Sequence, residues 1–229
     1  MRQYKILVDG DVVAYRAAYS SEGDTRLVAA EKVDELMDNI VFATTKRDED
    51  IEVFLTGKGN FRYDISPTYK ANRKDKEKPE HLSYIREYIV KVWNASVSSG
   101  QEADDDIATR AAELDYECTI VSTDKDFKQI PCRHYNPNKD EFADVSEFDA
   151  TTFFYKQMLM GDTADNIEGI RGVGPVKAGR MLQDCTTEQE LYDKVLSVYE
   201  GDADRMLMTA RLLWLRRKED DLWLPPDQR

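Results

Sequence analysis

The chain has 229 residues, 41% hydrophobic and 34% charged, with a formal net charge of −13. That is enough for one large domain, or a domain with a smaller companion, under a well-solvated surface. No apolar run approaches the roughly 20 residues of a membrane span, and Asp9 and Asp11 interrupt any secretory leader. Three scattered cysteines (Cys118, Cys132, Cys185) and two histidines (His81, His134) argue against a disulfide framework and a multi-histidine metal site, and for a reducing cytoplasm.

In chain order, Tyr4–Val8 reads as a short buried strand ending at Asp9. Val28–Val41 follows as a helix, Ile51–Leu55 as a second strand, and His81–Trp93 and Ala103–Leu114 as helices with apolar residues in 3.6-residue register. Cys118–Ser122 is a third strand. This alternation predicts an α/β fold with a mainly parallel sheet flanked by helices over residues 1–149, whose ligands sit beyond the strands' carboxyl ends. Beyond that, Thr151–Met160, Glu188–Tyr199 and Arg205–Arg217 read as helices of a second, helical part over 150–229, ending in a frayed tail at Leu224-Pro-Pro-Asp.

The acids fall where such a sheet places its chemistry. Asp9 ends the first strand, and Glu102, Asp104, Asp105 and Asp106 open the Ala103 helix, whose dipole favours them. Asp124 and Asp126 follow the third strand, where an extended backbone would point both side chains the same way. Asp162 and Asp165, three apart, would share a helical face. Each group alone matches a cap or turn acid. Gathered together, carboxylates repel and their pKa values rise unless a cation joins them. Hard divalent ions with oxygen ligands are the natural neutraliser, and two of them about 4 Å apart would activate water and stabilise the leaving oxygen of a phosphodiester.

The bulk charge opposes nucleic-acid binding, but the bases are unevenly spread. Arg62–Lys78 holds six bases and three acids within a polar stretch that matches a solvated surface loop. Gly169–Ala178 (GIRGVGPVKA) has the form of a helix-hairpin-helix: Gly172 and Gly174 permit the turn, Pro175 starts the next helix, and Arg171, Lys177 and Arg180 stand without an acid among them. Backbone N–H groups there would hold phosphate without reading bases.

These motifs resemble the 5′-nucleases, the flap endonucleases and 5′–3′ exonucleases, and within them the bacteriophage-encoded members. The matching residues are Val8-Asp9-Gly10 with Tyr15-Arg16, Asn60-Phe61-Arg62, Tyr69-Lys-Ala-Asn-Arg73, Glu102-Ala-Asp-Asp105, Ser122-Thr-Asp-Lys-Asp126 and Gly161-Asp-Thr-Ala-Asp-Asn166 running into the hairpin. The resemblance implies a PIN-like nuclease core with a basic arch segment at about 62–80, and a helical three-turn DNA-binding element at about 161–184. It implies two Mg²⁺ ions, with Mn²⁺ able to substitute: one on Asp9, Glu102 and Asp104, the other on Asp124, Asp126, Asp162 and, through water, Asp165. Asp105 matches a further family acid, whereas Asp11 and Asp106 match none. Lys70 and Arg73 match the pair at the scissile phosphate, with Arg16 assisting. Arg62, Lys74 and the hairpin residues Arg171, Gly172, Gly174, Lys177 and Arg180 would contact DNA, and the carbonyls around Val173 would take K⁺. The expected partner is DNA with 5′ duplex ends, nicks or flaps, RNA–DNA hybrids included, and the protein is expected to act as a monomer without a membrane.

Two departures qualify this. Relatives place an aspartate after the second strand, where this chain has Thr56 and Gly57. Only about a dozen residues separate Tyr69 from the His81 helix, short for an arch that threads flaps, which tilts the expectation towards exonuclease action. The missing acid also keeps open a non-catalytic structure-specific DNA-binding protein. A DNA mimic would need only the acidic composition and would leave the hairpin unexplained.

Overall fold

The computed structural model describes residues 4–45, 50–73 and 77–229. Strand β1 (Lys5–Asp9) carries Ile6, Leu7 and Val8 in the core, as a central parallel strand requires. It pairs in parallel with β2 (Ile51–Lys58) on one flank and β4 (Cys118–Val121) on the other, Val8 lying opposite Val53 and Val121. Strand β3 (Ser96–Ser99) extends the sheet beyond β2, and β5 (Arg133–Asn136) beyond β4. An antiparallel β6 (Glu141–Asp144) completes the order β3-β2-β1-β4-β5-β6. The chain therefore winds outward from β1 through β2 and β3, then returns to the other flank with β4. That reversal makes the carboxyl ends of β1 and β4 the place where an α/β sheet takes its ligands.

Helices α1 (Gly10–Ser20), α2 (Arg26–Thr44) and α4 (Leu82–Val92) share one apolar cluster with the sheet, built on Val8, Val13, Val33, Met37, Leu55, Ile85 and Ile89. Helix α5 (Ala103–Glu113) packs on β1 and β2 and buries Ile107, Ala108 and Ala111. The mainly parallel, helix-flanked α/β fold expected from the alternation is present. The sequence reading passed over α1, which leaves β1 with no loop between, and over β3, β5 and β6, which lack an apolar period.

The described residues of 4–60, 77–127 and 132–144 form one compact unit, and those of 61–73, 128–131 and 145–229 a second. The second contains α3 (Arg62–Ile65), α6 (Glu147–Met160), a short ladder of β7 (Gly161–Asp162) with β8 (Ile167–Glu168), α7 (Pro175–Leu182), α8 (Glu188–Val198) and α9 (Ala203–Leu213). Its core joins Tyr69 to Phe154, Met158, Leu191, Val195, Leu213 and Trp223. The tail is not frayed: Trp223 is 2% exposed among aromatic rings of α6 and α8, and Arg229 Nη2 donates to Glu188 Oε1 at 2.6 Å. Burying an indole outweighs the entropy of a few ordered residues. Among the described residues no helix is long and apolar enough to cross a membrane.

Candidate functional site

In the first unit, Asp9 sits at the last position of β1 and caps α1. Its Oδ1 accepts from the amides of Asp11 (3.1 Å) and Val12 (3.2 Å), so the strand-to-helix passage itself fixes the carboxylate. Its Oδ2 accepts from Ser122 Oγ at 2.7 Å, just past the end of β4. The same Ser122 oxygen accepts the Asp124 amide at 2.9 Å, and Asp124 Oδ1 accepts the Asp126 amide at 2.8 Å. Asp9, Ser122, Asp124 and Asp126 thus form one chain of contacts across β1 and β4. Asp124 and Asp126 do not share an extended segment, because a 3-10 turn over Lys125–Gln129 starts between them.

Burial pushes the Asp9 carboxyl up to about 7, and the nearby charges of Asp11 and Asp124 push the same way against the Ser122 and Val12 hydrogen bonds. A carboxylate in that condition gains from a neighbouring cation. Glu102 stands at the N-cap of α5 and Asp104 in its first turn, both half-buried. Asp105 is fully buried, and its Oδ2 accepts the Glu102 amide at 3.2 Å, which gives it a capping job. The candidate donors are hard oxygens throughout, and Asp9 among them is a buried acid, which fits a divalent ion of the Mg²⁺ or Mn²⁺ type. Among the described residues no three acid, imidazole or thiol groups close around one point. Arg16 is directed elsewhere, its Nη1 donating to Asn138 Oδ1 at 2.6 Å.

In the sequence Arg86 carries no functional signal, Asp11 matches no family acid and Thr56 marks only a missing one. Asp11 Oδ2 accepts the Thr56 amide at 2.9 Å, Arg86 binds both Asp11 Oδ1 and the Thr56 carbonyl, and Thr56 Oγ1 accepts the Ala103 amide at 3.0 Å. The missing acid has a steric counterpart: a Cβ on Gly57 would lie 1.9 Å from the Ser98 carbonyl oxygen. Gly57 cannot accept the aspartate that would restore the relatives' pattern.

In the second unit, Asp162 and Asp165 do not share a helical face. Asp162 lies in β7 and its Oδ1 accepts the Ala164 amide at 2.7 Å, making a tight turn. Asp165 accepts from Tyr69 Oη at 3.1 Å and pairs with Lys70 Nζ at 3.5 Å and with Arg73 Nη2. Arg73 Nε also donates to the Ala164 carbonyl at 2.9 Å, and Asn72 Nδ2 to that of Thr163 at 2.9 Å. Residues 68–73 therefore clasp the 163–166 turn, with Lys70 at φ +54°. Asp165 is neutralised by two cations, unlike Asp9, and the clasp brings the expected phosphate pair, Lys70 and Arg73, to one point.

Arg62 is corrected. It is 2% exposed, with Nε on the Leu212 carbonyl (2.8 Å), Nη2 on that of Trp214 (2.7 Å) and its guanidinium over the Phe61 ring, so it holds the end of α9 and cannot meet DNA. Lys74 lies outside the described residues. At the hairpin, Arg171, Gly172, Gly174, Lys177 and Arg180 are exposed, while Val173 is buried. Gly172 takes φ +74°, and Gly174 caps α7 ahead of Pro175. Lys177 Nζ reaches the Gly172 carbonyl at 3.5 Å, beside the Val173 carbonyl expected to face K⁺.

The family model described as "5′-3′ exonuclease, N-terminal resolvase-like domain" matches residues 5–156. Flap endonuclease Xni of Shewanella sp. (strain W3-18-1) is 31% identical over 161 residues, 64% of this chain and 62% of that protein, and its Shewanella oneidensis counterpart is equally similar. The match thus spans under two thirds of these curated relatives. Among solved structures, a bacteriophage T5 flap endonuclease in a complex with DNA and metal ions has a TM-score of 0.72 at 17% identity, covering 92% of this chain and 89% of that one. The T5 5′-exonuclease with zinc bound gives 0.70 at 17%, with the same coverage. The catalytic core of Rad2 with DNA substrate gives 0.57 at 14%, covering 98% and 83%. At these identities the structures establish a shared fold, and the match over 5–156 establishes the lineage: the chain belongs to the 5′-3′ exonuclease family.

Proposed function

We propose that the protein is a divalent-metal-dependent 5′-nuclease that hydrolyses phosphodiester bonds at the 5′ ends and flaps of duplex or branched DNA. The observation that carries this is Asp9, a buried acid raised to about 7 at the strand reversal, with Asp11 and Asp124 adding to its charge load. A stable fold gains nothing from such crowding, whereas a cation site does.

Asp9, Glu102, Asp104, Asp124 and Asp126 are the proposed ligands, and the family resemblance adds Asp162 to the proposed set for a second ion. Bound Mg²⁺ or Mn²⁺ supplies the Lewis acidity that activates water and stabilises the leaving oxygen. The chain's own residues do the rest. Ser122 orients the Asp9 carboxylate and ties it to the Asp124 loop. Lys70 and Arg73, held in place by Asp165, offset charge on the scissile phosphate. Arg171, Lys177, Arg180 and the N-terminal amides of α7 hold a phosphate of uncut duplex, independent of sequence, and K⁺ at the Val173 carbonyl belongs to the same reading. The proposal extends to a bacteriophage-type member, in line with the fold shared with T5 enzymes although the Shewanella relatives are bacterial, and to a monomer acting in replication, recombination or primer removal with RNA–DNA hybrids as further substrates.

The test is cleavage of a 5′-labelled duplex and a matched 5′-flap duplex with Mg²⁺ and with EDTA. Short labelled products that vanish with EDTA support the proposal and rank the two activities. Binding without cleavage moves the protein to the second reading, a structure-specific DNA binder, which the chain's Thr56-Gly57 in place of an acid favours.

A further inference from the structure

Strand β2 loses its regular ladder with β3 between Leu55 and Lys58, so the backbone groups of Thr56 need other partners. They find them in side chains. The Thr56 amide donates to Asp11 Oδ2 at 2.9 Å, and its carbonyl accepts from Arg86 Nη2. Arg86 Nη1 in turn pairs with Asp11 Oδ1, closing a ring of three residues from α1, β2 and α4. The Thr56 hydroxyl faces out of that ring and accepts the Ala103 amide at 3.0 Å, one of the N–H groups the first turn of α5 leaves without a helical partner. Asp11 lies in the first turn of the helix that Asp9 caps, and Ala103 lies between Glu102 and Asp104.

We propose that Thr56, locked by Asp11 and Arg86, is the positioning residue that sets the start of α5, and with it Glu102 and Asp104, relative to Asp9. The cation-binding role of these acids rests on the function proposed above; the positioning itself does not.

The experiment compares the wild type with Thr56→Val, Thr56→Ser and Arg86→Gln. Three readouts are taken: amide hydrogen exchange at Ala103, calorimetric titration with Mn²⁺ alone, and kcat and KM on a 5′-labelled duplex. Thr56→Val keeps the shape and the backbone bonds but removes the acceptor. It should speed Ala103 exchange, weaken Mn²⁺ binding and lower kcat by roughly tenfold to a hundredfold, the usual loss when a partner of a ligand is removed. KM should stay within about threefold, and Thr56→Ser should restore all three. Arg86→Gln should reproduce the losses in part. Unchanged exchange and unchanged Mn²⁺ affinity in Thr56→Val, or a Thr56→Ser protein as impaired as Thr56→Val, would overturn the proposal. If the wild type does not cut DNA, the nuclease reading fails, while exchange and Mn²⁺ titration still decide this one.

Discussion

Ser122 Oγ donates to Asp9 Oδ2 at 2.7 Å while accepting the Asp124 amide at 2.9 Å, so one hydroxyl joins the ends of β1 and β4. Ser122→Ala should therefore loosen Asp9 and the Asp124 loop together. Removing such a partner costs roughly tenfold to a hundredfold in metal affinity or activity. Mn²⁺ titration against the wild type checks this, and Ser122→Thr, which keeps the hydroxyl, should recover most of the loss.

Asp9 also makes the metal-free fold pH-dependent. Its carboxyl titrates near 7 in the folded protein against an ordinary 3.8, so the folded state holds its proton longer than the unfolded chain. The stability is whole below about pH 4 and drains away as the pH rises through 7, by a sum on the order of 4 kcal/mol. Asp9→Asn keeps an oxygen for the α1 amides and removes the titration. Thermal melts in EDTA at pH 8 should place Asp9→Asn several degrees above the wild type, the gap closing at pH 4. Added Mg²⁺ should raise the wild-type melting temperature and leave the variant unmoved. Equal melting temperatures at pH 8 would count against the buried, crowded Asp9.

Arg62 and Arg73 both belong to the basic segment, yet they should fail in different assays. Arg62→Ala strips the Leu212 and Trp214 carbonyls of this donor and empties the space over Phe61. The expected loss of stability is about 3 kcal/mol, seen as a lower denaturation midpoint, with duplex affinity unchanged below that midpoint. Arg73→Ala, half exposed on Asp165, should leave the midpoint close to wild type and lower kcat.

The hairpin should announce itself through salt. Lys177→Ala and Arg180→Ala each remove one exposed cation from α7. Each should reduce the slope of log affinity against log salt for duplex DNA by about one, with no change in base preference. An unchanged slope in both would remove the hairpin from the DNA interface.

Much of this is legible in the sequence. Strands β1, β2 and β4 show as short apolar runs, and α4 and α5 as amphipathic periods, because the core imposes both patterns. The positions of Asp9 and Asp124 were legible for the same reason, because they stand at the ends of β1 and β4. Helix α1 was hidden because it starts at Gly10 directly after β1 with no turn between them, and β6 by having all four residues exposed. Local capping overrode simple spacing at Asp124, Asp126, Asp162 and Asp165. Burial of a charged group is the least legible of all. Arg62 reads as a surface base until the carbonyls of Leu212 and Trp214 come to meet it, 150 and 152 residues along. The Asp11–Arg86–Thr56 ring is likewise assembled from three elements that no local pattern connects.

The proposed function has the carboxylates at the ends of β1 and β4 hold the ions that license cleavage. Its most direct test is to measure, in one buffer, the binding and the single-turnover cutting of a 5′-labelled duplex by the wild type, Asp9→Asn and Asp124→Asn with Mg²⁺. Both variants should bind DNA within about threefold of the wild type and cut it at least roughly a hundredfold more slowly. Cutting within a few-fold of wild type by either variant would contradict the claim.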